Sequence, residues 1–96
     1  MTTRFELVHN HHERAVFAAI GDHAVHHPHL ADDEDLLSDV ACVALNRLPP
    51  RYIRHEVDFA FYLTDKERGD ADQAVRDAVK FAFEFVQARV AMRARG

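Results

Sequence analysis

The first repeating pattern of hydrophobic positions lies near the start of the chain. Between residues 5 and 20, apolar side chains recur at three- and four-residue steps, which is the spacing of one face of an α-helix. The pattern stops at Gly21, and Pro28 follows within a histidine-rich, acidic stretch. We therefore predict a first helix over residues 5–20 and then a connection that reaches Asp33.

A second and more regular pattern follows this connection. Its apolar positions share the i, i+3, i+4, i+7, i+8, i+11 spacing of a helix face and are Leu37, Val40, Ala41, Ala44, Leu45 and Leu48. Asp32 or Asp33 can cap the start of this helix. Its end is expected at Pro49-Pro50, because proline fixes its own φ and disfavours the α conformation of the residue before it.

Beyond the prolines the pattern changes. Apolar residues alternate with other residues over 55–63, which is typical of a strand, although several of them also fit a helical stripe. A lone strand needs a partner for its backbone groups, and a second copy of the same strand across a two-fold axis is the best one available. The segment is predicted to be a short strand or extended segment, with a helix as the alternative.

The last pattern predicts a long helix. Thr64 and Glu67 have the spacing of a capping box. Apolar positions then recur from Ala71 to Val90, and three phenylalanines at 81, 83 and 85 widen the apolar face. The whole chain is thus predicted to be an all-α domain of about three to five helices, with a short strand or extended segment at 55–63, that forms a homodimer.

Composition and charge restrict the kind of protein. The 96 residues make one domain, 1–96, and 48% hydrophobic with 29% charged residues is typical of a globular protein. The net charge of −4 argues against DNA or RNA as a partner. No apolar run approaches the roughly 20 residues that span a bilayer, so we expect a cytoplasmic protein without a membrane partner. Cys42 is expected to be a buried, inert thiol.

No catalytic pattern is present, and the histidines give only a weak metal signal. Ser38 lacks the glycine-rich turn of a nucleophile, and no Walker or Rossmann glycine pattern occurs, so we expect no enzyme and no cofactor. Seven of the eight histidines cluster at 9–12 and 23–29. They could surround a metal, but C-x-x-C and H-E-x-x-H spacings are absent, so solvated or pH-titrating histidines are the preferred interpretation.

The segment Ala44–Tyr52, ALNRLPPRY, carries the most distinctive chemistry. It combines a double proline with amide, guanidinium and aromatic side chains. A structural interpretation is a helix end with Arg47 on the last carbonyls and Tyr52 packed on the core. A functional interpretation is an anion site, since arginine pairs with phosphate or guanine and tyrosine stacks on a base.

Residues 39–52, DVACVALNRLPPRY, resemble the signature of the late competence development protein family ComFB. Asn10 and Glu13 match an N-x-x-E pattern in the family's first helix, and residues 71–86 resemble its closing helix. The resemblance implies a small, helical, dimeric, cytoplasmic bacterial protein. Some members, notably in cyanobacteria, are receptors for cyclic dinucleotides. Some others carry a zinc-binding cysteine cluster between their first two helices, which this chain lacks.

The resemblance places a ligand site in the same segment. It comprises Asn46, Arg47, Leu48, Pro49, Pro50, Arg51, Tyr52 and Arg54. The arginines would hold phosphate or guanine, Tyr52 would stack, Asn46 would bind a base edge and the prolines would keep the geometry stiff. The expected partners are cyclic di-GMP, or else cyclic di-AMP, a second copy and an unknown downstream protein. The alternatives are a ligand-independent dimeric adaptor and a histidine-metal structural module.

Overall fold

A computed structural model describes residues 5–55 and 63–95 of the chain. Within this part the protein is mainly helical, with a two-stranded antiparallel sheet, so the expectation of a helical domain of three to five helices is confirmed. The elements are β1 (His9–Asn10), α1 (His12–His23), α2 (Pro28–Ala31), α3 (Glu34–Arg47), β2 (Tyr52–Ile53) and α4 (Asp65–Arg95), with single 3-10 turns at Phe5–Leu7 and Ala24–His26.

The core lies between α1, α3 and α4, which contact one another in all three pairs. Its buried side chains are Val16, Ile20, Leu30, Val40, Ala44, Leu48, Val75, Ala78, Val79, Ala82, Phe83 and Val86. All but Leu30 come from the faces that the helical spacing marks as apolar, whereas Leu30 lies on α2, within the stretch predicted as a connection. No polar side chain in the described ranges is buried with them. Burial of this shared face stabilises the three helices against one another.

The predicted caps of the two longer helices are confirmed. The Asp33 carboxylate accepts a hydrogen bond from the Leu36 amide at 3.1 Å, so it satisfies a backbone donor at the start of α3. At the start of α4 the Glu67 amide donates to the Thr64 hydroxyl, 3.1 Å away, and that hydroxyl donates to the Glu67 carboxylate at 3.2 Å. These contacts are local in sequence, and therefore the spacing alone identifies them.

The predicted bounds of the first helix were wrong at both ends. α1 begins at His12, because residues 9–10 form β1 and the Asn10 side-chain oxygen accepts the His12 amide at 3.2 Å. Phe5 and Val8, which fit the helical spacing, are exposed. At the other end the helix continues through Gly21 to His23, since one glycine weakens a packed helix without ending it.

The chain after the prolines pairs with the N-terminal part of the same chain. β2 lies antiparallel to β1, with His9 opposite Ile53 and Asn10 opposite Tyr52. The prediction of a strand or extended segment at 55–63 falls mostly on residues 56–62, which lie outside the described residues. His55 and Leu63, at the two ends of that range, belong to no helix or strand.

The prediction of a buried Cys42 was also wrong, because its side chain is exposed. Successive residues of an α-helix are rotated by about 100°, so Cys42 lies about 200° from both Val40 and Ala44. Those two residues are fully buried and define the core face of α3.

The chain is more extended than a compact domain of its length. Its radius of gyration is 15.6 Å, against about 12.5 Å expected for 96 residues. Its accessible surface of 7358 Å² also exceeds the roughly 5,600 Å² expected for an 11.0 kDa monomer. No helix in the described ranges is long and apolar enough to cross a membrane.

Candidate functional site

The segment 44–52 forms a sharp corner where α3 ends, which we call the proline corner. Leu48 leaves the helical conformation, with φ −89° and ψ 138°, and its side chain is buried. Pro49 and Pro50 follow it and are exposed. The corner therefore has a core anchor before two conformationally restricted residues, which limits its freedom to move. Leu48, a member of the predicted ligand-binding set, contributes this anchor.

Backbone contacts hold the far side of the proline corner against the start of α1. The His11 amide donates to the Arg51 carbonyl at 2.7 Å, and the Arg51 amide donates to the Asn10 side-chain oxygen at 3.3 Å. The β1–β2 pairing continues the contact to Tyr52. Both ends of the corner are thus fixed to the helical body, one by burial and the other by hydrogen bonds.

Arg47 lies on an aromatic surface of α4. Its guanidinium carbon is 3.8 Å from the centre of the Phe81 ring, a close cation–π contact. Phe81 stacks on Phe85 with ring centres 5.9 Å apart, and the Arg89 guanidinium lies 5.8 Å from the Phe85 ring. We call these four side chains the arginine–phenylalanine ladder. It places a cation at each end of two stacked rings on the outside of the α3–α4 pair.

Arg51 lies apart from the ladder, near the start of α4. It lines a cavity of about 240 Å³ together with His11, His12, Leu63, Glu67, Asp70 and Ala71. Arg47 contacts Phe81, whereas Arg51 lines the cavity beside Asp70. On α4, Phe81 is eleven positions beyond Asp70, or about 16 Å along the helix axis. One chain therefore presents Arg47 and Arg51 at two separate positions and does not gather them around a single anion.

The remaining predicted site residues are on the surface. Asn46 and Arg54 are exposed, and Tyr52 is 68% exposed. The structural interpretation of this segment required Tyr52 to pack on the core, and the structure does not place it there. Its phenol ring is available to solvent beside the prolines, at the end of the β1–β2 pairing.

The family comparison agrees with the motif in the proline corner. The model of the family described as late competence development protein ComFB matches residues 9–90, which is most of the chain. The chain belongs to the ComFB family. Comparisons with curated proteins and with solved structures found no match.

The ladder extends the candidate site of this ComFB chain beyond the motif. Phe81 and Phe85 were predicted only as parts of an apolar face, and Arg89 follows Phe85 by four positions. Their spacing of i, i+4, i+8 places them on one face of α4. That spacing could have identified the α4 part, but the contact with Arg47 joins residues 34 positions apart and needs the tertiary fold.

A shallow groove continues from the ladder between α3 and α4. Its cavity has about 230 Å³, and its lining comprises Leu36, Asp39, Cys42, Val43, Phe85, Val86, Arg89, Val90 and Arg93. Apolar side chains form much of this lining, and two arginines and one aspartate also contribute. The ladder thus borders an apolar surface on which another molecule could bury area.

The histidine-metal alternative for this ComFB protein gains no geometric support. In residues 5–55 and 63–95, no three histidine, cysteine, aspartate or glutamate side chains are placed to hold a metal ion. His23 lies close to His26 and His27, with ring centres 5.3 and 5.2 Å away. His29, which was grouped with them as a ligand candidate, is exposed on α2.

Proposed function

We propose that this ComFB chain is a non-enzymatic receptor for a cyclic dinucleotide, with cyclic di-GMP as the first candidate and cyclic di-AMP as the second. It would act in the bacterial cytoplasm as a homodimer and pass the second-messenger signal to a downstream protein. The observation that carries the proposal is the stacking of Arg47 on Phe81, because it orients a guanidinium group inside the segment that resembles the family signature.

The chemistry of the ladder suits a nucleotide that has both phosphates and bases. A guanidinium group that stacks on a ring keeps its N–H edges in one plane, where they can pair with two phosphate oxygens or with O6 and N7 of guanine. Its conformational freedom is already reduced before binding, which lowers the entropic cost of forming those bonds. The exposed Tyr52 ring offers a separate face for base stacking.

The two-fold symmetry of a cyclic dinucleotide suits a protein dimer. A cyclic dinucleotide contains two phosphates and two bases, so a symmetric dimer can contact each half in the same way. One chain holds Arg47 and Arg51 apart, and a second copy would bring another pair of arginines to the shared ligand. The large accessible surface of 7358 Å² leaves area for such an interface.

A ligand-independent adaptor is the second candidate, and the groove between α3 and α4 favours it. Val43, Val86 and Val90 could pack against a helix of another protein, while Arg89 and Arg93 contact its acidic residues. In this case the ladder would form part of a protein interface. The two candidates differ in whether a small ligand binds in the absence of a protein partner.

Titration calorimetry with cyclic di-GMP and with cyclic di-AMP separates them. At about 100 μM protein, an interaction of about −5.5 kcal/mol is still measurable. We expect saturable heat with cyclic di-GMP and a weaker response with cyclic di-AMP. If neither nucleotide gives heat, the receptor proposal fails and the adaptor becomes the preferred function.

Arginine variants test which contact carries the binding. Arg47→Ala should weaken cyclic di-GMP binding by about 1.5–3 kcal/mol, because a charge-assisted contact is lost. Arg47→Lys keeps the charge but not the planar stacked group, so it should recover only part of the loss. Arg95→Ala, which removes an exposed arginine at the end of α4, is the matched control. Equal effects of Arg47→Ala and Arg95→Ala would show that only overall charge matters.

A further inference from the structure

Two histidine rings contact one phenylalanine at the junction between α1 and α4, and a third histidine ring, that of His26, lies against His23. His23 is the last residue of α1, and His26 and His27 follow in the connection to α2. The His23 ring lies 5.0 Å from the fully buried Phe83 ring, and the His27 ring stacks on the same ring at 4.9 Å with an interplanar angle of 13°. We call His23, His26, His27 and Phe83 the histidine cluster.

Through His27, the cluster attaches the 24–31 connection to the surface of α4. Its Nδ1 donates to the Gln87 side-chain oxygen at 2.6 Å. Its backbone carbonyl accepts the amides of Leu30 and Ala31 at 2.9 and 3.0 Å, which starts α2. Leu30 is almost fully buried in the core. Displacement of His27 from Phe83 would therefore also disturb α2 and a core side chain.

The surroundings of His23 disfavour its protonated, positively charged form. Burial lowers its pKa below the ordinary value of 6.5, and the nearby His27, His26 and Lys80 lower that pKa further, while Glu84 acts in the opposite direction. Asp22 on α1, and Arg76 and Asp77 on α4, line the same cavity as His23 and His26.

We propose that the histidine cluster is a pH-sensitive latch, in which a neutral His23 keeps the 24–31 connection closed on α4 and protonation of His23 opens it. Opening would separate the three rings, relieve their mutual repulsion and expose Phe83 to solvent. Proton uptake is thereby coupled to the position of α2 and Leu30.

The direction of the pH effect follows from the lowered pKa of His23. Above pH 6.5 the ring is neutral in the closed and the open state, so the full stability of the closed state is present. As the pH falls below 6.5, the open state takes up the proton first. The closed state then loses stability until the pH reaches the lowered pKa, and the loss is at most tenfold in the opening constant per pH unit.

Hydrogen exchange of the Leu30 and Ala31 amides tests the latch, because both donate to the His27 carbonyl. The full chain is measured at pH 7.5 and 5.0 in the presence of a chelator, and rates are corrected for the intrinsic pH dependence of exchange. We expect the protection factors of these two amides to fall several-fold at pH 5.0 in the wild type. His23→Gln, which is neutral at both pH values, should remove most of this fall.

His29→Gln is the matched control, since His29 lies on α2 but outside the cluster, and it should keep the wild-type response. Equal protection at both pH values in the wild type, or an unchanged fall in His23→Gln, would overturn the proposal. If His23→Gln does not fold, an NMR titration of the wild-type His23 ring decides. The latch requires that the fall in protection of the Leu30 and Ala31 amides and the titration of the His23 ring share one midpoint, and different midpoints reject it.

Discussion

At the scale of single residues, Asn10 joins the start of α1 to the proline corner. Its side-chain oxygen accepts the amides of His12 and Arg51, at 3.2 and 3.3 Å. His12 directly follows this part of the chain, whereas Arg51 is 41 positions from Asn10 in the sequence and directly precedes β2. One acceptor therefore sets both where the helix begins and where the chain after the prolines lies.

Asn10→Ala should lower the free energy of unfolding by about 1–2 kcal/mol, since a helix-start acceptor and a second acceptor function are lost together. Urea unfolding followed by circular dichroism measures the effect. Asn10→Asp keeps an accepting oxygen in the same place and should retain most of the stability. If both variants lose the same amount, the contribution of Asn10 lies in its amide nitrogen and not in the oxygen.

Cys42 shows what a sequence pattern can and cannot decide at this scale. Its neighbours Ala41 and Val43 are apolar, and the average tendency of cysteine is burial, so the sequence favoured a core position. The helix rotation decides otherwise, because Val40 and Ala44 occupy the buried face. The angular position within α3 was available from the sequence and outweighs residue type.

At the scale of elements, the locally specified parts of the fold were predictable. α3 and α4 begin at capping residues whose partners are three positions away, and α3 ends at two prolines. α1 differs, because its start depends on the pairing of β1 with β2. That pairing joins His9 to Ile53 and leaves no periodic signal in either segment. The same distinction applies to the candidate site, where the corner has a motif and the Arg47–Phe81 contact does not.

The two described glycines lie inside helices and give a prediction at this scale. A Cβ atom built at Gly21 or Gly69 meets no other atom within 4 Å, and neither has a positive φ. Gly21→Ala and Gly69→Ala should each raise the free energy of unfolding by about 0.5–1 kcal/mol, because alanine restricts the unfolded chain and favours the helix.

Urea unfolding of the two variants checks this expectation, and Ala18→Gly on the exposed face of α1 should show an effect of similar size in the opposite direction. A loss of stability in Gly21→Ala that grows with protein concentration would contradict the expected gain. It would show that Gly21 leaves space for a neighbouring chain.

At the scale of the whole molecule, surface area and charge restrict the partner. The chain exposes 7358 Å², about 1,700 Å² more than a compact monomer of its mass. A standard interface buries about 800 Å² from each partner, so the excess can accommodate one interface and a ligand surface. The net charge of −4 disfavours a nucleic-acid strand, while the ladder provides a local cationic surface for a small anion.

For the proposed dimer, we expect sedimentation equilibrium to give twice the 11.0 kDa mass of one chain at micromolar concentrations. If the ligand bridges two copies, cyclic di-GMP binds the dimer better than the monomer, and saturating ligand must shift the equilibrium toward the dimer. Arg47→Ala should reduce that shift without changing the mass of the ligand-free protein. A monomer of 11.0 kDa at all concentrations, with or without ligand, would contradict the dimer and require one chain to bind the nucleotide alone.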